Sequence, residues 1–132
     1  MKIYLSHPIR GIKGNTATEA DMQKNCYRAR MLAYIIRRFI IPPPDIYCPA
    51  ESEPFIGRAY KSGILTEKQI LDIDCEIIKD CDLLIIYNPE RGLSNGMKVE
   101  FEAAKKSGVE VYEIGGIDLD LINFWRNYEY ER

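Results

Sequence analysis

Histidine is nearly missing from this chain: His7 is the only one, and the four cysteines, Cys26, Cys48, Cys75 and Cys81, include no CxxC pair. A structural zinc site has too few well-spaced ligands, so no metal is expected, and the thiols read as reduced side chains packed like small apolar residues. Charge of one sign is lacking too. With 18 basic and 20 acidic residues and a formal charge of −2, there is no footprint for a nucleic-acid polymer or an anionic membrane, although a small anion could find a local basic pocket. No segment approaches the ~18 apolar residues of a membrane span, and the opening residues show no charged region ahead of an apolar one. A soluble cytoplasmic protein is expected. GxGxxG and GxxxxGK[ST] are both absent, which disfavours dinucleotide binding and NTP hydrolysis. Internal repeats and low-complexity tracts are absent as well.

What is present is 132 residues with 46% hydrophobic content, enough for one core and too little for two ordinary domains, so residues 1–132 are read as a single domain. Lys2 to Ser6 reads as a buried strand that ends in the loop His7-Pro8-Ile9-Arg10-Gly11. Thr18 with Asp21 opens a helix to about Arg38, and Pro42-Pro43-Pro44 stops it. A short strand from Asp45 to Cys48 is followed by a stretch from Pro49 to Gly63 that reads as irregular. Thr66 with Gln69 opens a second helix to about Asp80, and Asp82 to Tyr87 is the strongest strand signal. A third helix from about Ser94 to Ser107, a strand from Val109 to Ile114 and a terminal helix from Leu119 to Tyr128 complete the chain. Strands alternating with helices predict an α/β fold: a three-layer, doubly wound, Rossmann- or flavodoxin-like parallel sheet of four to five strands in the order 2-1-3-4. Ligand would then bind where the loops after strands one and three part.

Two acids stand against the polarity of their helices. Glu102 has Lys98, Lys105 and Lys106 one turn away and belongs to a solvated, ion-paired face. Glu100 instead has Gly96, Met97, Ala103 and Ala104 as its helical neighbours, so it projects from the face that turns toward the sheet. A carboxylate there is costly unless something pairs or uses it; a glutamate at the helix rim whose tip reaches water is the alternative. Asp74 repeats the pattern among Ile70, Ile77 and Ile78, with a bond to a neighbouring loop as its alternative. Such surroundings tune carboxyl pKa values for chemistry.

Beside these acids, Ser94-Asn95-Gly96 opens a helix after a parallel strand, a place where backbone N–H groups and a hydroxyl suit an anion. Arg10 and Gly11 come from the loop after the first strand, and an arginine fork beside a glycine suits phosphate. An ordinary surface arginine and a plain N-cap stay open for Arg10 and Ser94. Together the loops and acids describe a pocket for a phosphorylated small molecule with carboxylates near its centre, an inventory that glycosyl chemistry fits.

Tyr4-Leu5-Ser6-His7-Pro8-Ile9-Arg10-Gly11, Asp74, Asp82-Leu83-Leu84 and Ser94 to Glu100 resemble, in order and spacing, the nucleoside 2-deoxyribosyltransferase-like family. Within it the resemblance is strongest to the 2'-deoxynucleoside 5'-phosphate N-hydrolases, whose pattern places a tyrosine six residues before the arginine and a serine six before the glutamate. It spans about residues 2 to 114, with no readable counterpart for the middle stretch. The resemblance implies that Glu100 is a nucleophile attacking the anomeric carbon of deoxyribose, that Tyr4 orients it, and that Asp74 holds the sugar or assists departure of the base. It also implies that Ser6, His7, Pro8, Ile9, Arg10 and Gly11, with Ser94, Asn95 and Gly96, surround a small-molecule nucleotide or nucleoside, with Arg10, Ser94 and the helix N-terminus gripping a 5'-phosphate. No cofactor is implied.

The chain departs from that pattern at His7, where the family usually has glycine, and at Pro8, where the hydrolases favour serine and the transferases often carry proline. His7 then either replaces the missing serine as a phosphate ligand or is a loop histidine. The family's members are typically dimers or larger, so a homo-oligomer is expected. The aromatic tail from Phe124 to Tyr130 either closes a neighbour's site or packs on its own sheet, and Phe55, Arg58 and Tyr60 either cover a base or pack under their own segment. The alternatives to hydrolysis are transfer of deoxyribose between bases, a non-catalytic nucleotide-binding module, and a protein-interaction role on the same fold.

Overall fold

Four parallel strands, β1 (Lys2–Ser6), β2 (Asp45–Tyr47), β3 (Leu83–Tyr87) and β4 (Glu110–Ile114), lie in the order β2-β1-β3-β4. The computed structural model of the chain describes residues 1–116 and 119–131, the side chains of 128–131 excepted. The helices are α1 (Glu19–Phe39), α2 (Pro49–Lys61), α3 (Glu67–Lys79), α4 (Asn95–Lys106) and α5 (Leu119–Glu131), and a 3-10 turn covers Gly11–Thr16 between β1 and α1. The expected doubly wound parallel sheet is therefore observed, with four strands.

Period-two alternation in β1 and β3 divides the core into two layers. Ile3, Leu5, Leu83 and Ile85 face one side and pack with Ala29, Leu32, Ala33 and Ile36 of α1 and Phe124 of α5. Tyr4, Leu84 and Ile86 face the other and meet Ile78 of α3 with Met97 and Ala104 of α4. Burying each large aliphatic side chain here contributes roughly 1.5–3 kcal/mol. Both expected capping boxes form: Asp21 N–H donates to the Thr18 hydroxyl at 3.1 Å while Thr18 N–H donates to the Asp21 carboxylate at 2.9 Å, and Gln69 with Thr66 repeats the exchange. Each such N-cap is worth about 1 kcal/mol.

The segment from Pro49 to Gly63, expected to be irregular, is mostly the helix α2. Pro49 occupies the helix's first turn, where its missing N–H and fixed φ cost nothing, and Pro54 follows within the same helix. Tertiary contacts offset the poor local propensity. Ala50 and Ala59 are buried, and Arg37 of α1 grips Glu51 through two hydrogen bonds of 2.7 and 2.6 Å. At the other end of the chain, Leu121 and Phe124 of α5 are buried and the Phe124 ring lies 4.6 Å from that of Tyr112. Phe124 thus packs on the chain's own sheet; the side chains of Tyr128 and Tyr130 lie outside the described residues. No described helix is long and apolar enough to cross a membrane, and all four cysteines are free thiols.

The chain crosses from β1 to β2 on one face of the sheet and from β3 to β4 on the other. Winding reverses between β1 and β3, and a crevice opens at the carboxyl ends of those two strands.

Candidate active site

A cleft of about 620 Å³ occupies that crevice. One wall is the stripe Glu67, Ile70, Leu71 and Asp74 of α3, and another is Pro49, Glu53, Ile56, Gly57 and Tyr60 of α2, both spaced as one helical face. The loop after β1 supplies His7, Ile9, Arg10 and Gly11, and the start of α4 supplies Ser94, Asn95, Gly96 and Met97. Glu100 reaches the cleft one turn further along α4.

Glu100 is 5% exposed and Asp74 is 8% exposed, whereas Glu102, two residues from Glu100, is exposed. Glu102 makes no ion pair with a described lysine, which corrects the expected ion-paired face: three exposed lysines around one acid do not require a fixed pair. The alternation that buries Leu5 on one face of the sheet places Tyr4 and Ser6 on the other, directly behind Glu100. The Tyr4 hydroxyl donates to Glu100 Oε2 and the Ser6 hydroxyl donates to Oε1 at 2.8 Å. Both donors are fully buried, so each carboxylate oxygen is fixed from the protein side while Glu100 still reaches the cleft.

Electrostatics follow from this enclosure. Burial pushes the Glu100 carboxyl up to about 7; the Tyr4 hydrogen bond opposes the shift, the Asp74 charge adds to it, and Ser6 opposes it. Burial likewise raises Asp74 to about 6, opposed by Tyr4 and aided by the charge of Glu53. Burial, then the charges of Glu100 and Asp74, hold the Tyr4 hydroxyl well above its usual range, so it stays a proton donor to the pair. Tyr47 completes the group: its ring lies 5.4 Å from that of Tyr4, and burial, then the Asp74 charge, raises its hydroxyl.

Several expected site residues are placed differently. Ser6, expected against substrate, is instead covered completely and holds Glu100. Pro8 is buried outside the cleft lining, and its carbonyl faces His7 Nδ1 at 3.0 Å. The Ala50 N–H donates to His7 Nε2 at 3.1 Å, which makes Nε2 the acceptor and leaves the ring proton on Nδ1 for the Pro8 carbonyl. Burial holds this imidazole down to about 4. His7 is therefore a neutral ring with both nitrogens engaged by backbone, and the reading of it as a phosphate ligand is corrected: it ties the loop after β1 to the first turn of α2. Ile9 lines the cleft and its carbonyl accepts from Asn25 at 2.8 Å.

Gly11 has φ +69°, a left-handed conformation that strains any other residue, so the backbone here favours glycine. Gly96 differs, since a Cβ would meet only Leu71 at 3.6 Å, an ordinary contact. Its bareness keeps the start of α4 open to the cleft. Ser94 is the N-cap of α4, accepting from Met97 N–H at 3.3 Å, and lines the cleft. Arg10 bonds Asn15 at 3.3 Å and its guanidinium stands 5.6 Å from the Tyr60 ring centroid. Of the aromatic and basic side chains expected to cover a base, Tyr60 lines the cleft, while Phe55 and Arg58 are exposed outside its lining.

Sequence reasoning did not single out Glu53 or Tyr47. Glu53 lay in a segment read without structure; once Pro49 is taken as a first-turn proline, Glu53, Ile56, Gly57 and Tyr60 fall on one face. Among the described residues no cluster of His, Cys, Asp and Glu is arranged to hold a metal ion. No protein-family model, curated protein or solved structure matches the chain.

Proposed function

We propose that the chain is an N-glycosidase that cleaves the bond between base and deoxyribose in a 2'-deoxynucleoside 5'-monophosphate, with Glu100 as nucleophile. The observation that carries this reading is the buried carboxyl pair at the cleft floor. Glu100 has each oxygen held by a hydroxyl donor from β1, and Asp74 stands close enough to raise its pKa. Preorganised donors of this kind fix a carboxylate's direction of attack without further ordering during reaction.

In the proposed reaction the ionised Glu100 attacks the anomeric carbon, and the glycosidic electron pair leaves with the base. Glu100 and Asp74 are raised to about 7 and about 6 and titrate as a coupled pair, so the reactive form is the arrangement in which the pair's one proton sits on Asp74, which delivers it to the departing base. Water then attacks the glycosyl-enzyme ester, its proton passes to Asp74, and deoxyribose 5-phosphate is released. Arg10, the Ser94 hydroxyl and the N-terminal N–H groups of α4 line the cleft and supply donors for the 5'-phosphate. The sequence resemblance selects the same nucleophile.

Incubating the protein with a panel of deoxynucleoside monophosphates and measuring free base tests this reading. Base release that disappears in Glu100→Gln is expected. Exchange onto an added second base would instead identify a deoxyribosyltransferase, and binding without turnover in the unsubstituted protein would identify a nucleotide-binding module.

A further inference from the structure

The loop after β1 meets α2 near both ends of that helix. His7 takes the Ala50 N–H of the first turn at 3.1 Å, and Arg10 stands over the ring of Tyr60 in the last turn, its guanidinium carbon 5.6 Å from the ring centroid. Arg10 Nη1 also donates to Asn15 Oδ1 at 3.3 Å. Arg10, Asn15 and Tyr60 all line the cleft. The guanidinium is therefore tethered twice, by a side chain of the 3-10 turn that follows it and by the end of α2.

Both tethers are neutral, and that sets Arg10 apart from Arg37. The Glu51 carboxylate grips Arg37 through bonds of 2.7 and 2.6 Å, which offsets its charge and serves the fold. Arg10 makes no ion pair with a described residue. An amide oxygen and an aromatic face order a guanidinium without neutralising it, and one hydrogen bond occupies one of its five N–H donors. Holding a rotamer-rich side chain in place before the ligand arrives removes part of the entropy cost of binding.

We propose that Tyr60 is a positioning residue for the phosphate end of the cleft: its ring, with the Asn15 amide, holds the Arg10 guanidinium in place to receive the 5'-phosphate. This assigns Tyr60 to the phosphate and not to the base, and it rests on the N-glycosidase reading for the identity of the ligand.

The test measures calorimetric binding and steady-state kinetics of a deoxynucleoside 5'-monophosphate and of the matching deoxynucleoside. The proteins compared are the unsubstituted chain, Tyr60→Leu, Tyr60→Phe, Arg10→Ala and the double variant Arg10→Ala/Tyr60→Leu. Tyr60→Leu is expected to weaken the monophosphate about two- to fivefold relative to the deoxynucleoside, in KM and not in kcat. Tyr60→Phe, which keeps the ring, should retain the original preference, and in the Arg10→Ala background Tyr60→Leu should cause no further loss. Monophosphate binding that follows this pattern without turnover supports the role of Tyr60 while the glycosidase reading fails. Equal weakening of both ligands by Tyr60→Leu, as a ring covering the base would give, overturns the proposal and leaves the glycosidase reading standing. A loss that persists in the Arg10→Ala background, an unmoved preference, or failure of the unsubstituted protein to bind the monophosphate also overturns it.

Discussion

The two faces of the central sheet are built from alternate residues of the same strands, yet they do different work. Ile3, Leu5, Leu83 and Ile85 point toward α1 and α5 into a layer that is apolar throughout. Tyr4 and Ser6, their immediate neighbours, point toward α3 and α4 and end on Glu100. One face holds the fold through burial; the other accepts the cost of two buried carboxyls next to a cleft. Surroundings of this kind are where carboxyl pKa values are tuned for chemistry.

Substitutions on the two faces should therefore separate activity from stability. The largest effect is expected for Glu100→Gln, with base release falling at least about 10³-fold. The same variant should be no less stable than the unsubstituted protein. A carboxyl at about 7 when folded, against an ordinary 4.5, binds more protons folded than unfolded between those values. Its favourable contribution is complete below the unfolded pKa and is lost as pH rises through about 7. Denaturant melts at pH 8 should show Glu100→Gln more stable by about 1–3 kcal/mol, and the difference should shrink toward pH 5. A marked loss of stability in this variant at pH 8 would break the contrast between the faces.

On the apolar face, Leu5→Ala should cost about 2–5 kcal/mol through the cavity it leaves, with kcat nearly unchanged at temperatures where the variant stays folded. Smaller is the effect expected for Tyr4→Phe, which removes the hydroxyl that stabilises ionised Glu100. The acid limb of the kcat/KM profile, set near 7 by Glu100, should move to higher pH, and activity at pH 7 should fall about 10- to 100-fold. A limb that stays in place would remove Tyr4 from the account of Glu100 ionisation. Smallest is His7→Ala, expected to cost about 1–2 kcal/mol for the backbone N–H it leaves unpaired, with no weakening of phosphate binding measured by calorimetry.

The sequence made local features legible and long-range ones much less so. Thr18 and Thr66 announced their helices because a capping box is complete within four residues, and the Glu100–Glu102 distinction was readable because helical neighbours are close in sequence. The helix α2 was hidden, since Pro49, Pro54 and Gly57 argue locally against it and its anchors come from elsewhere: Arg37 on α1 and His7 after β1. The role of Ser6 was hidden for the same reason. Its partner lies 94 residues away, and strand alternation says which side Ser6 faces without saying what waits there. His7 could be read as an anion ligand only while α2, whose first turn occupies its Nε2, was missing.

Free base measured by chromatography after incubation with deoxynucleoside monophosphates, run in parallel on the unsubstituted protein and Glu100→Gln, tests the central claim most directly. Release by the first and none by the second is the expected result. No release from any deoxynucleotide or deoxynucleoside, or equal release by both proteins, would contradict the assignment of Glu100.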